Sequence, residues 1–362
     1  MRERLLMGPG PSNAAPEVLE ALGRPLLGHL DPDFLAVLDD VAASLRTVFA
    51  TSNRMTFAVS GTGSAGMEAA LVNLLEPGDE AIVCVNGVFG GRMADVAGRA
   101  GARLVRIEAP WGEAIPESAV RDVLETHPDA KVLSLVHAET STGVAQPVDE
   151  IASIVRDHGV LFVLDTVTSL AGMPVSVDAW GVDVAYSGTQ KCLSVPPGLS
   201  PITYSERALD VVRNRKSPVQ SWYLDVTLLE GYWGTDRVYH HTAPISMLTA
   251  LQAGMRVVLD EGLEARWKRH ADNGALLARE LEVRGFTYVA PVGMRLPMLH
   301  CVRLPGGADE GALRKRLLVE HSIEVGAGLG PFKGECWRIG LMGHTSTESN
   351  IERFLGALDA LL

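Results

Sequence analysis

At 362 residues the chain is longer than a single typical core, which points to a large domain plus a smaller one. A composition of 47% hydrophobic and 21% charged residues argues against disorder, and a net charge of −12 with no Lys/Arg block argues against a nucleic-acid partner. Cys84, Cys192, Cys301 and Cys336 show neither a CxxC pairing nor a Cys/His metal spacing, so no metal site is expected and a reduced, cytoplasmic setting fits. No signal-peptide pattern opens the chain, and no apolar run approaches the roughly 20 residues that cross a bilayer, so no membrane role is expected.

The chain opens with the Pro/Gly-rich Gly8-Pro9-Gly10-Pro11. From about residue 54 to about residue 205, short β-branched runs alternate with helical patterns, the sign of an α/β fold with a mostly parallel, doubly wound sheet. The spacing predicts strands at Thr56–Ser60, Ala81–Asn86, Arg103–Ile107, Val132–His137, Leu161–Asp165, Val182–Tyr186 and Ser200–Tyr204, with helices at Ala65–Leu75, Gly91–Ala100, Glu117–Thr126 and Asp149–Asp157. Beyond Ile245 come the long amphipathic helices Leu248–Leu259 and Leu263–Arg284, then strand-like runs at Leu299–Leu304 and Trp337–Leu341 around the segment Asp309–Glu320, and a last helix at Thr347–Leu361. The expected division is an N-terminal segment 1–20, a large domain 21–245 and a smaller α+β domain 246–362.

Gly61, Gly63 and Gly66 in Ser60-Gly61-Thr62-Gly63-Ser64-Ala65-Gly66 spell a literal GxGxxG between a strand and a helix. A dinucleotide site also needs an acid at the end of the next strand, but that strand ends in Cys84-Val85-Asn86-Gly87, and no Lys-Ser/Thr follows the loop to make a nucleotide P-loop. What survives is a general anion site, in which small residues let a phosphate approach the free N–H groups of a helix N-terminus. An ordinary tight turn into a helix is the plain alternative.

Asp165 ends an apolar strand, where open α/β sheets present ligand-binding residues, and an acid there suits a pyridine nitrogen that must stay protonated. It could equally cap a helix or begin a loop. Lys191 lies among small and polar residues in Tyr186-Ser187-Gly188-Thr189-Gln190-Lys191-Cys192 after another strand. A lysine amine whose pKa is lowered by burial or a neighbouring cation attacks aldehydes and can return as a base, whereas an exposed loop lysine is the commoner fate. Arg338 interrupts an apolar strand in Cys336-Trp337-Arg338-Ile339-Gly340, either to grip a carboxylate through two parallel hydrogen bonds or to form a structural salt bridge.

Over nearly its whole length the chain resembles the alanine–glyoxylate and serine–pyruvate branch of the class V aminotransferases. The resemblance rests on Gly8-Pro9-Gly10-Pro11-Ser12-Asn13, Ser60–Leu71, Glu76-Pro77-Gly78-Asp79, Glu139-Thr140-Ser141-Thr142-Gly143-Val144, Asp165, Tyr186–Lys191, Pro196-Pro197-Gly198, Tyr239-His240-His241-Thr242 and Arg338-Ile339-Gly340. It implies a type I pyridoxal-phosphate-dependent transferase fold with a seven-stranded, mostly parallel sheet and pyridoxal 5'-phosphate as cofactor. Lys191 would carry that cofactor as a Schiff base and Asp165 would pair with its ring nitrogen. Thr62, Gly63, Ser64 and Gln190 would hold its phosphate. Phe89 would stack on the ring, where relatives often have tryptophan, and Thr140 would donate to the phenolic oxygen side; core packing and a backbone-bonded hydroxyl are the respective alternatives. Arg338 and a backbone N–H at Gly8 would bind the substrate carboxylate. Tyr239 and Thr242 match a segment lent across a homodimer to the neighbouring phosphate, or form an intrachain loop, while His240 and His241 suit packing better than metal binding.

The implied reaction is a two-stage amino transfer from a small amino acid, alanine or serine, to glyoxylate or pyruvate. Relatives acting on ureidoglycine, aminoethylphosphonate or pyridoxamine share the frame. Cysteine desulfuration is disfavoured because Cys336 enters a strand and Phe89 stands where a stacking histidine is expected. A nicotinamide oxidoreductase lacks its ribose acid, and a cofactor-free binding protein has no need for Asp165 with Lys191.

Overall fold

The computed structural model describes residues 3–362. Seven strands form the main sheet in the order Met55–Ser60, Leu199–Tyr204, Val184–Tyr186, Leu161–Asp165, Val132–Val136, Glu80–Val85, Arg103–Glu108. Leu199–Tyr204 runs against both of its neighbours, while the other pairings are parallel. The expected strands and intervening helices are therefore present, with ends shifted by up to three residues.

The apolar runs are continuous because both faces of the sheet are covered. Side chains alternate across the pleat, so Ile82, Leu133, Leu135, Phe162 and Leu164 enter one core while Ala81, Val83, Val132, Leu161 and Val163 enter the other. Truncating a side chain such as the fully buried Phe162 to alanine costs on the order of 3–5 kcal/mol.

The 18-residue helix Pro32–Phe49, outside the expected elements, covers the first face. Its signals are local: Asp31 accepts the Asp33 N–H at 2.9 Å as N-cap, Pro32 occupies the first turn, and Phe34, Leu38, Val41, Leu45 and Val48 form a buried stripe at helical spacing. Helix Ile245–Glu261 joins the same core through Leu248, Leu251, Met255 and Val258, packing on the helices Pro16–Leu22 and Pro32–Phe49.

A second, four-stranded antiparallel sheet orders Thr287–Tyr288, Leu299–Arg303, Cys336–Gly340 and Gly326–Ala327. Its core takes residues from Leu263–Val283, Glu310–Glu320 and Glu348–Asp359. The N-terminal segment ties the two halves together. Leu5–Leu6 pairs with Ile323–Glu324, Gly340 donates its N–H to Met7, and Ser12 then donates to the carbonyl of Lys191 at 2.8 Å. No helix among the described residues is long and apolar enough to cross a membrane.

Candidate active site

Strand register brings the site together. Val136 is paired with Asp165, and Asp165 with Tyr186, so three adjacent parallel strands end side by side. The segments that follow them carry Glu139 and Lys191. This is the carboxyl edge of the parallel strands, where an open α/β sheet leaves a crevice.

Asp165 is buried, with Oδ1 accepting the Val167 N–H and Oδ2 accepting the Tyr186 hydroxyl, both at 2.8 Å. Burial pushes its pKa up to about 6, although the two donors and Lys191 pull the other way. Each carboxylate oxygen accepts one protein donor and retains a lone pair, which suits a further N–H donor from a ligand ring. Lys191 is also buried; burial, followed by the Arg338 charge, pulls its amine down to about 8. About a tenth of the amine is then neutral at pH 7, far more than for an ordinary lysine, and the neutral form is the one that attacks an aldehyde. The lysine is roofed by the N-terminal loop: Nζ donates to the carbonyl of Pro9, and a Cβ at Gly10 would come 2.8 Å from Lys191 Cδ, at a backbone φ of +111° that also favours glycine.

Gly63–Leu74 begins beside this loop, and a Cβ on Gly63 would lie 3.6 Å from Gly188 Cα. Its N-cap Thr62 makes no side-chain capping bond, and Thr62 and Ser64 are exposed, leaving the free donors of a helix N-terminus available to an anion. Gln190 Oε1 is buried without a partner; its amide would meet an anion through the NH2 group. The chemistry of these groups fits a phosphorylated aldehyde with a basic ring nitrogen, as pyridoxal 5'-phosphate is.

Arg338 lies in the Cys336–Gly340 strand and has no ion-pair partner among the described residues, which removes the salt-bridge alternative. Its Nε donates to the Ala327 carbonyl at 2.8 Å, so the guanidinium is fixed with its Nη pair still available for a carboxylate. Gly8 lies beside this strand, since a Cβ at Gly340 would overlap the Gly8 carbonyl. Phe89 is half-buried in the first turn of Val88–Arg99, with the Arg92 guanidinium 5.0 Å from its ring centre. Thr140 is buried.

Tyr239 and Thr242 make no described hydrogen bond to these groups. Both are exposed, and their hydroxyls lie 3.4 Å from each other, with no described bond to Thr62 or Ser64. Their segment is anchored in its own chain by His241, whose Nε2 lies 2.7 Å from Ser60 Oγ, and by His240 stacked on Trp222 at 4.3 Å. No cluster of metal-ligating side chains occurs among the described residues.

Sequence reasoning passed over Tyr186, Glu139, Ser141, Pro9 and Gly10 as working parts. Tyr186 carried a usable signal, a phenol ending the strand beside the one that ends in Asp165. Pro9 and Gly10 carried none, because their contact with Lys191 spans more than 180 residues of chain.

An aminotransferase class-V family model matches residues 8–354. The chain is 38% identical to the (S)-ureidoglycine–glyoxylate transaminase of Bacillus subtilis, covering 99% of this chain and 90% of that one. It is also 38% identical to the alanine–glyoxylate aminotransferase of Felis catus, over 99% of this chain and 87% of the other. The crystal structure of an alanine–glyoxylate aminotransferase from Nostoc superposes with a TM-score of 0.98 at 48% identity, covering 100% of this chain and 96% of that one. Cysteine desulfurase from Thermococcus onnurineus shares only the fold, at 16% identity, and Cys336 is buried within its strand here. A family match that spans residues 8–354, with relatives 38% identical over nearly the whole chain, shows that the chain belongs to the class V aminotransferases, enzymes of the type I fold that depend on pyridoxal phosphate.

Proposed function

We propose that the enzyme transfers the amino group of a small amino acid, alanine or serine, to glyoxylate or pyruvate in two half-reactions. The observation that carries this reading is the unpaired, tethered guanidinium of Arg338 close enough to Lys191 to depress its amine. A substrate carboxylate held there by paired hydrogen bonds, with the Gly8 N–H beside it, presents its α-carbon toward the lysine. The relatives named for glyoxylate as acceptor support the choice of oxo acid.

When bound, pyridoxal phosphate supplies an electron sink for the pair left at the substrate α-carbon. Asp165 keeps the ring nitrogen protonated through a buried, hydrogen-bonded carboxylate. Lys191 would hold the cofactor through its side-chain nitrogen, and its amine, when free, would carry the proton at the substrate α-carbon. Thr62, Gly63, Ser64 and Gln190 hold the phosphate, Phe89 stacks on the ring, and Thr140 donates to the phenolic oxygen side. Tyr239 and Thr242 serve the phosphate of a neighbouring subunit, making a homodimer with shared active sites. The four cysteines are free and buried, which suits a reducing compartment, and the reading places the enzyme in the cytoplasm.

A second reading, ureidoglycine as amino donor, is favoured by the Bacillus subtilis relative. Incubating the holoenzyme with alanine, serine, ureidoglycine, aminoethylphosphonate and pyridoxamine against glyoxylate and pyruvate, and identifying the oxo product, tests the assignment. Pyruvate formed from alanine with glyoxylate is expected. Turnover confined to another donor would replace the substrate while keeping the reaction class.

A further inference from the structure

Glu139 is a buried carboxylate with an unusual set of partners. Its Oε1 accepts the Ser141 N–H at 3.0 Å and the Ser141 hydroxyl at 2.6 Å. Its Oε2 accepts the N–H groups of Phe89 at 3.1 Å and Gly90 at 3.4 Å, in the first turn of the Val88–Arg99 helix. Ser141 Oγ in turn accepts the Val88 N–H at 3.0 Å.

That helix has no cap of its own. Its N-cap is Gly87, which has no side chain to offer, and three consecutive first-turn N–H groups, at positions 88, 89 and 90, are satisfied from residues about fifty positions away in sequence. Gly87 has an extended backbone that any residue adopts, so conformation does not require glycine there. Space does: a Cβ at Gly87 would overlap the Glu139 side chain and the Ser141 hydroxyl. The helix start is pressed onto the sheet as well, since a Cβ at Gly90 would crowd Val85 Cα at 3.0 Å. Burial raises the pKa of Glu139 while its four donors oppose the rise. A buried negative charge is well matched here because the helix N-terminus is the positive end of the helix dipole.

We infer that Glu139 is a positioning residue: through the backbone of Phe89 and Gly90 it fixes the start of the Val88–Arg99 helix and thereby the plane in which Phe89 meets the cofactor ring. This rests on the reading of Phe89 as the stacking residue. Glu139 touches no reacting atom in this role. Its carboxylate can accept from all four donors at once, whereas the amide of Glu139→Gln must turn an NH2 either toward the Phe89 and Gly90 N–H groups or toward the Ser141 N–H and hydroxyl. Glu139→Gln therefore loosens the helix start, directly in the first case and through the Ser141 hydroxyl that caps Val88 in the second, and lets the Phe89 ring turn away.

The test compares wild type, Glu139→Gln, Phe89→Ala and the double variant as holoenzymes, reading the dissociation constant of pyridoxal phosphate, the visible circular dichroism of the bound cofactor and the thermal midpoint with and without it. Glu139→Gln is expected to weaken cofactor binding by about tenfold and to diminish the visible dichroism. The double variant is expected to bind within about twofold of Phe89→Ala alone, because both changes act on one contact. A purely structural carboxylate would lower the midpoints and leave the dichroism unchanged, which would overturn the proposal. Effects of the two substitutions that simply add would overturn it too, with the stacking reading left standing. A silent Phe89→Ala would remove the stacking reading and the proposal with it. Should Glu139→Gln fail to fold, Gly87→Ala displaces the same carboxylate from the helix side and is judged by the same dichroism and binding criteria.

Discussion

The floor and the rim of the site are built on different physical terms. On the floor, Asp165, Glu139 and Lys191 are all buried, and each is met by donors or acceptors of its own chain. At the rim, Thr62, Ser64, Tyr239 and Thr242 are exposed, and the helix starting at Gly63 has an N-terminus without a side-chain cap. A buried ionisable group without partners is costly, so the floor must be complete when one chain folds. Exposed hydroxyls and helix-end N–H groups are satisfied by water, so the rim can wait for a phosphate and for a second subunit. The difference assigns the chemistry to the floor and, under the proposed sharing of sites between subunits, the coupling between binding and assembly to the rim.

The largest effect is expected from the floor. Lys191→Ala removes both the attachment point and the proton carrier and should lower transamination by about 10^4-fold or more. In the wild type, borohydride should fix the cofactor to Lys191 alone, as peptide mass mapping would read; an adduct on another lysine would contradict the assignment. Next is Arg338→Ala, where the loss of a charge-assisted pair amounts to about 3 kcal/mol, or about 150-fold in kcat/KM for alanine, with cofactor content unchanged. Half-reaction kinetics equal to wild type would remove Arg338 from the substrate site.

Tyr186→Phe sharpens the floor further. The phenol lowers the pKa of Asp165, so without it the carboxylate titrates above its present value of about 6. The acid limb of kcat/KM should move to higher pH, with about a tenfold loss near neutrality. An unmoved limb would show that the phenol does not govern the acid.

The rim is tested by complementation. Lys191→Ala subunits and Tyr239→Phe/Thr242→Ala subunits, each nearly inactive alone, should recover about a quarter of wild-type activity after random exchange, because half of the dimers are mixed and each has one intact site. No recovery despite verified exchange would return the Tyr239–Thr242 segment to its own chain. The smallest expected change is in the apoenzyme. Only the neutral amine of Lys191 attacks, so cofactor uptake should rise with pH through a midpoint near 8, and Arg338→Ala, by removing a cation that lowers that amine, should move the midpoint upward. A midpoint independent of Arg338 would separate the two groups.

Much of the fold was legible because its signals are local. Apolar runs of strand length, helical spacing and turn glycines placed the seven strands and most of the helices, and a lysine and an acid at neighbouring strand ends marked the site. The helix Pro32–Phe49 was equally legible, with Asp31, Pro32 and a spaced apolar stripe, and needed only to be sought. Other features came from the tertiary structure alone. Glu139 is one polar residue within a short motif until the sheet register sets its carboxylate against the helix that starts at Val88. Pro9 and Gly10 are ordinary turn residues until the chain passes over Lys191. Arg338 was equally an ion-pair partner or a free guanidinium until the fold placed no carboxylate of the described residues at ion-pair distance from it, the nearby Glu139 being held by Ser141, Phe89 and Gly90. The sequence by itself determined which segments become strands and helices and which residue types stand at their ends, since these depend on neighbours a few positions away. Only the tertiary structure decided which groups meet, how deeply they are buried and hence where they titrate, because those quantities depend on contacts between residues far apart along the chain.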